Sequence, residues 1–179
     1  TLGTNAETAA LFNPMTGECG EAKVRQVDGK TQVYLQLKSG ESIILQTYRQ
    51  PLQASKPWKY VKEQPFSLRL DHGWKLHFAE SKPEIQGTFD IDRPCSWTNI
   101  DHPAAQTNMG TGVYSLDIEL PALKADNWIL DLGDVRESAR VRINGQEAGC
   151  VWAVPYQLKV GQFLKPGKNH IEICLLYTS

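Results

Sequence analysis

Residues 128–173 read WILDLGDVRESARVRINGQEAGCVWAVPYQLKVGQFLKPGKNHIEI, and their punctuation decides the fold. Ala139, Val141 and Ile143 alternate with Arg140 and Arg142. That period of two puts one face of a strand on a core and the other in water. Asn144-Gly145 follows at once. A two-residue hairpin of type I′ needs positive φ at both central positions, which Asn-Gly supplies best, so the chain must reverse there. Pro166-Gly167-Lys168-Asn169 marks a second turn, and a last alternating strand is expected from His170 through Ile171 and Ile173. Strand, hairpin, loop, turn and strand make half of a β-sandwich.

Upstream, the same signals recur. An apolar run at Ala9, Ala10, Leu11 and Phe12 ends in Asn13-Pro14 turn chemistry. Strands are expected over 22–27 and 31–37 about Asp28-Gly29, a second hairpin signal, and over 41–48, whose β-branched run suits a buried strand. These form a meander of three or four strands, residues 1–50. It is small to cover its own apolar face, and further strands are expected ahead of it. Pro51, Pro57 and Pro65 break periodicity over 51–65, which reads as a linker pinned to a neighbouring surface by Trp58 and Tyr60. Beyond it, strands are expected over 66–70, 74–78, 114–120 and 128–132, a long loop over 101–112, and a turn over 121–126. Cys95-Ser96-Trp97-Thr98 reads as a strand edge or loop with an aromatic anchor. No helical stripe of useful length appears, and many short strands with turns between them indicate a sandwich or barrel. The expected organisation is an all-β chain: a strand remnant over 1–50, a linker over 51–65 and a β-sandwich over 66–179.

Composition narrows the partners. With 19 Lys and Arg against 20 Asp and Glu, the net charge is -1, which removes the electrostatic footprint of a nucleic-acid binder or an anionic-membrane binder. No apolar run approaches the roughly 20 residues of a membrane helix, and the first residues carry no basic and apolar leader pattern. Starting at Thr1, the chain reads as a mature product or a piece of something longer. Cys19, Cys95, Cys150 and Cys174 lie far apart without metal-site spacing, so they read first as small buried hydrophobes, with disulfides open if the protein is exported.

The ordered motifs carry a resemblance. Gly110-Thr111-Gly112-Val113-Tyr114, then Leu130-Asp131-Leu132-Gly133, then Val141-Arg142-Ile143-Asn144-Gly145, then Pro155-Tyr156 and Pro166-Gly167-Lys168-Asn169 resemble the jelly-roll sugar-binding domain of family 2 glycoside hydrolases. That is a galactose-binding-domain-like sandwich. With Asn13-Pro14-Met15-Thr16-Gly17 and Gly40-Glu41-Ser42-Ile43 added, the chain looks most like the carboxy-terminal part of family 106 type α-L-rhamnosidases. The tail departs from the pattern: where the family continues with an Asn-rich loop and more strands, residues 174–179, CLLYTS, end the chain. This end reads as a truncation or an extraneous tail and carries no functional weight. The resemblance implies a periplasmic or secreted parent enzyme, with catalysis in a separate (β/α)8 barrel that this chain lacks the alternating pattern to build. The partners it implies are the catalytic and other domains of the same polypeptide, with oligo- or polysaccharide as a further candidate. No cofactor is expected. Related jelly rolls often hold a calcium ion through loop carbonyls and an Asp, but no dense acidic loop is present here.

A glycosidase needs two carboxylates, about 5 to 5.5 Å apart for retention or roughly 6.5 to 9.5 Å for inversion. Asp101, Asp131, Asp134 and Glu137 are better read as turn and surface acids, and no catalytic residue is assigned. Carbohydrate contact needs an aromatic face ringed by planar polar groups. The loop residues that meet that description are Trp97, Asn99, Asp101 and His102 in one group, and Arg136 and Trp152 beside the central hairpin. The same residues would serve a domain interface, where Trp and Arg are enriched, and the tryptophans would also serve as core caps. Three functions follow from these readings: an ancillary region of a larger glycoside hydrolase, an independent carbohydrate-binding module, and a protein-interaction sandwich.

Overall fold

The computed structural model of the chain describes residues 1–62, 66–122 and 125–177, the last without its side chain. The end of the expected linker, part of the expected 121–126 turn and the last two residues of the tail lie outside them. The chain divides into two compact units, Thr1–Pro65 and Phe66–Ser179.

In the first unit, β1 (Thr8–Phe12) lies between β2 (Cys19–Glu21) and β5 (Ile44–Tyr48), antiparallel to both. β3 (Val24–Val27) and β4 (Lys30–Val33) form a separate hairpin about Asp28-Gly29, which adopt φ of 50° and 72°. The hairpin is the expected one. The simple meander is not observed, since β1 takes the centre and its partners come from either side of the hairpin. Ala9, Leu11 and Ala22 form the buried centre, with Val24, Val33, Leu45 and Trp58 packed on it. β5 is not the buried strand expected, because Ile44 at its start is exposed. Trp58 anchors the segment after β5 to this sheet. Its N–H donates to Glu21 O at 2.8 Å, and the Tyr60 hydroxyl accepts from Lys23 N at 2.9 Å and donates to Tyr34 O at 3.0 Å.

The second unit is built on a six-stranded antiparallel sheet. Its strands are β6 (Trp74–Lys82), β7 (Thr88–Ile91), β8 (Met109–Leu120), β10 (Ala139–Ile143), β11 (Gln146–Val151) and β13 (Gly167–Tyr177), in the order β11-β10-β13-β8-β6-β7. A two-stranded ribbon, β9 (Ile129–Asp131) with β12 (Gln157–Lys159), lies over one face. There Leu130, Val160, Val141, Ile143 and Ile171 bury one another, and Trp74, Leu76, Ile91, Trp97, Tyr114 and Leu116 form the adjoining core. The opposite face is charged, with His170 Nδ1 2.7 Å from Asp117 on β8. The chain is an all-β protein with a sandwich in its second unit, and α1 (Pro103–Gln106) is one turn long.

Three further expectations need correction. Residues 66–70 form no strand. Their alternation is spent on packing: Phe66 meets Trp128 edge-on at 5.8 Å, and Leu70 reaches both core clusters while its carbonyl accepts from Trp74 Nε1 at 2.7 Å. The expected 101–112 loop ends early, because β8 begins at Met109 and pairs with β6 and β13 from there. Cys19, Cys95 and Cys150 are exposed and Cys174 half-buried, all four as free thiols rather than buried hydrophobes. Cys150 and Cys174 both stand opposite Arg140, so one strand separates them. At about 4.8 Å per strand spacing their Cα atoms are too far apart for a disulfide. The tail residues Cys174 to Tyr177 continue β13 and pair with β8.

The hairpin at the centre of the sequence argument forms as expected, with Asn144 and Gly145 at φ of 52° and 78°. The Asn144 side chain also works beyond the turn. Its Nδ2 donates to Phe163 O and Asn169 Oδ1, both at 2.9 Å, and its Oδ1 accepts from His170 N at 3.0 Å. Asn169, 3% exposed, accepts also from Lys165 N and donates to Lys165 O and Gly167 O. A buried carboxamide is affordable only when its donors and acceptor are met, and here they are.

Candidate functional site

The register across the sheet locates the candidate residues. Val151, Ala139, Leu175, Gly112 and Phe78 stand opposite one another on β11, β10, β13, β8 and β6, forming one row at one end of the sheet. Trp152 and Arg136 extend from the β11 side of this row. The segment carrying Trp97, Asn99, Asp101 and His102 meets it at β8 and β6. Three strand spacings, about 14 Å, separate β11 from β8, so the two groups share an end of the sheet without converging.

Trp97 proves to be a core residue, 5% exposed. Its ring centroid lies 5.7 Å from that of Phe78, and a Cβ at Gly112 would fall 2.8 Å from Trp97 Cζ3. The indole is therefore seated where β8 carries no side chain, and it has no open face for a sugar. Asn99 and Asp101 are exposed beside it. His102 is half-buried, its ring edge-on to Phe89 at 5.4 Å, and its Nδ1 is enclosed without a hydrogen-bond partner among the described residues. Nearby, the Tyr114 hydroxyl donates to Cys95 O at 2.7 Å, and burial pushes its pKa well above the ordinary tyrosine range.

The second group has a firm base and an open top. Val135, Ala139 and Val151 bury one another beneath Leu132 and Tyr156, and Leu132 N donates to Tyr156 O at 2.9 Å. The tips point outward: Trp152 is 63% exposed and Val154 55%. Arg136 is exposed and pairs with Asp134 at 3.3 Å. An indole, an aliphatic side chain and a guanidinium on a packed base have the composition of an interface anchor, where Trp and Arg carry binding energy. Exposed, the Arg136–Asp134 pair contributes little to stability.

A third feature went unread in the sequence, an open cleft of about 460 Å3 at the β6–β7 loop, lined by residues including His77, Glu84, Gln86 and Thr88. Its lining comes from the one stretch 77–88, where polar residues mix with Phe78, Ala79, Ile85 and Gly87 in no motif spacing, and the loop geometry folds that stretch into a cleft. Among the described residues, no group of three or more His, Cys, Asp or Glu is placed to hold a metal ion, and no helix is long and apolar enough to cross a membrane.

No protein-family profile matches the chain. Over 116 residues, 63% of its length, it is 29% identical to a putative beta-glucuronidase of Formosa agariphila. Among solved structures, a rhamnosidase from Novosphingobium sp. PP1Y superposes with a TM-score of 0.76 at 24% identity, over 98% of this chain. A Faecalibacterium prausnitzii beta-glucuronidase reaches 0.53 at 22% identity over 65% of it. The chain spans 10% of the curated relative, 17% of the rhamnosidase and 22% of the F. prausnitzii enzyme. It is a β region related to parts of much larger glycoside hydrolases.

Proposed function

We propose that the chain is a non-catalytic ancillary region of a larger glycoside hydrolase, of the rhamnosidase or family 2 type. In this reading, the second unit is a galactose-binding-like jelly roll that packs on the catalytic module through the Trp152 edge. The first unit belongs to an upstream sandwich, residues 51–65 link the two, and the parent enzyme is periplasmic or secreted. The observation that carries the reading is the match of nearly the whole chain to 17% of a rhamnosidase. Among the described residues the strands pair antiparallel in their sheets and the α-helix Pro103–Gln106 is one turn long, which supports it, because a (β/α)8 barrel needs eight alternating parallel strands and helices. Packing on a neighbouring module suits the edge better than solvent does, since an indole and an isopropyl group held outward on a rigid base expose apolar area to water. Asn99 and Asp101, exposed at the same end, stand as rim contacts for that module or for carbohydrate. His102, half-buried behind them, stands as the inner polar group, and Trp97 supports the segment from below.

The test is an assay of the purified 179-residue chain on nitrophenyl α-L-rhamnoside, β-D-glucuronide and β-D-galactoside. The expected result is no turnover above the buffer rate. Robust hydrolysis of any of them overturns the reading.

A further inference from the structure

The cleft at the β6–β7 loop lies apart from the Trp152 edge and does not share its chemistry. Its volume, about 460 Å3, is in the range that holds a small molecule. The loop that walls it is fixed in place. Ile85 is 6% exposed, its N–H donates to Ser81 Oγ at 2.9 Å, and the preceding Pro83 carbonyl accepts from Asn108 Nδ2 at 2.8 Å. Gln86 Nε2 donates to Glu84 Oε1 at 2.9 Å, joining two planar polar groups on the wall. Thr88 and His77 face each other across β6 and β7.

Such a lining is matched to hydroxyl groups. Each hydroxyl of a sugar both donates and accepts, and the lining offers a carboxylate that accepts, a carboxamide that does both, hydroxyls and an imidazole. It is not matched to an anion, since neither Lys nor Arg lines it and the Glu84 carboxylate would repel one. The equally large cleft of the first unit, beside Glu7, Gln26 and Arg49, makes a useful contrast. There the Gln26 amide is already committed to Ala6 O at 2.8 Å and Thr31 Oγ1 at 3.1 Å, so the polar group holds the fold together.

We propose that the β6–β7 cleft is a binding site for a neutral pyranoside, held by Glu84, Gln86 and Thr88, and that it discriminates against uronates. The choice of a sugar as the ligand rests on the glycoside hydrolase reading, while the discrimination against anions rests on the lining alone.

The test is an amide NMR titration of the full chain with methyl α-L-rhamnopyranoside, methyl β-D-galactopyranoside and sodium D-glucuronate. The expected result is saturable shifts centred on residues 84–88 for a neutral glycoside, with a Kd of about 1 mM. Glucuronate is expected to bind at least about tenfold more weakly, and Glu84→Ala and Gln86→Ala each to weaken the neutral sugar by a similar factor. Glu84 and Gln86 are exposed, so both variants keep a dispersed spectrum. Shifts centred elsewhere, equal binding of glucuronate, or silence from both neutral glycosides overturn the proposal. Silence together with an inert chain in the hydrolysis assay removes the cleft and leaves the ancillary reading standing. Hydrolysis removes that reading whichever way the titration falls.

Discussion

Trp97 and Trp152 flank the same row of the six-stranded sheet, and one is 5% exposed while the other is 63% exposed. From sequence, Trp97 is expected at a strand edge or loop near Asn99, Asp101 and His102, and Trp152 on a loop beside the central hairpin. What separates them is the partner across space. Under Trp97 the sheet presents Gly112, which leaves a seat for the indole, with Phe78 closing its edge. Beneath the loops at Trp152 the sheet presents Val151 and Ala139, already buried against Val135, so the indole is left outside. One ring holds the fold together and the other is available to a partner.

The largest expected effect that would break this contrast is at Trp97. Trp97→Ala empties the seat and is expected to destabilise the second unit by about 3–5 kcal/mol, read as the midpoint shift in urea denaturation. A loss below about 1 kcal/mol would mean that the ring is not a core element. Next comes the Asn144–Asn169 network at the other end of the sheet. Asn169→Ala leaves buried donors and acceptors unmet and is expected to cost about 2–3 kcal/mol, by the same measurement. Gly112→Ala tests the seat from the other side: the added methyl meets the indole at 2.8 Å. The expected cost is about 1–3 kcal/mol, as for an overpacked core.

Tyr114 sharpens the comparison through pH. Its pKa is raised by burial, so the folded protein keeps the proton while the unfolded chain ionises near pH 10. The stabilisation is whole below that pH and falls as pH rises above it, by about 1.4 kcal/mol per pH unit. Tyr114→Phe is expected to remove this component of the alkaline slope in denaturation curves taken from pH 9 to 11. The smallest effect belongs to Trp152→Ala, where stability is expected to stay within about 0.5 kcal/mol.

Much of the architecture was legible because it is local. Asn144-Gly145 and Asp28-Gly29 announce their hairpins through backbone φ, and Ala139, Val141 and Ile143 bury the face that their alternation assigns. The failures are all nonlocal. Residues 66–70 alternate like a strand yet find no neighbour to pair with, and the central place of β1 depends on a strand more than thirty residues away. Asn169 looks like turn chemistry, whereas its role comes from Asn144 in the turn between β10 and β11. Of the candidate site, Arg136 and Trp152 were legible as exposed loop residues. For Trp97, core capping stood as one of three readings, and nothing near it in the chain signals the gap at Gly112 that decides for it. The β6–β7 cleft was invisible for the same reason, being made by loop closure and not by spacing.

The proposed docking of this chain on a larger enzyme through its exposed tryptophan is tested directly by binding. The chain would be titrated, as wild type and as Trp152→Asp, against the separately expressed remainder of its parent polypeptide by isothermal calorimetry. The expected result is binding that weakens by about 30-fold in the variant, the loss of one interface hot spot of about 2 kcal/mol. Equal affinity for the two would contradict the account.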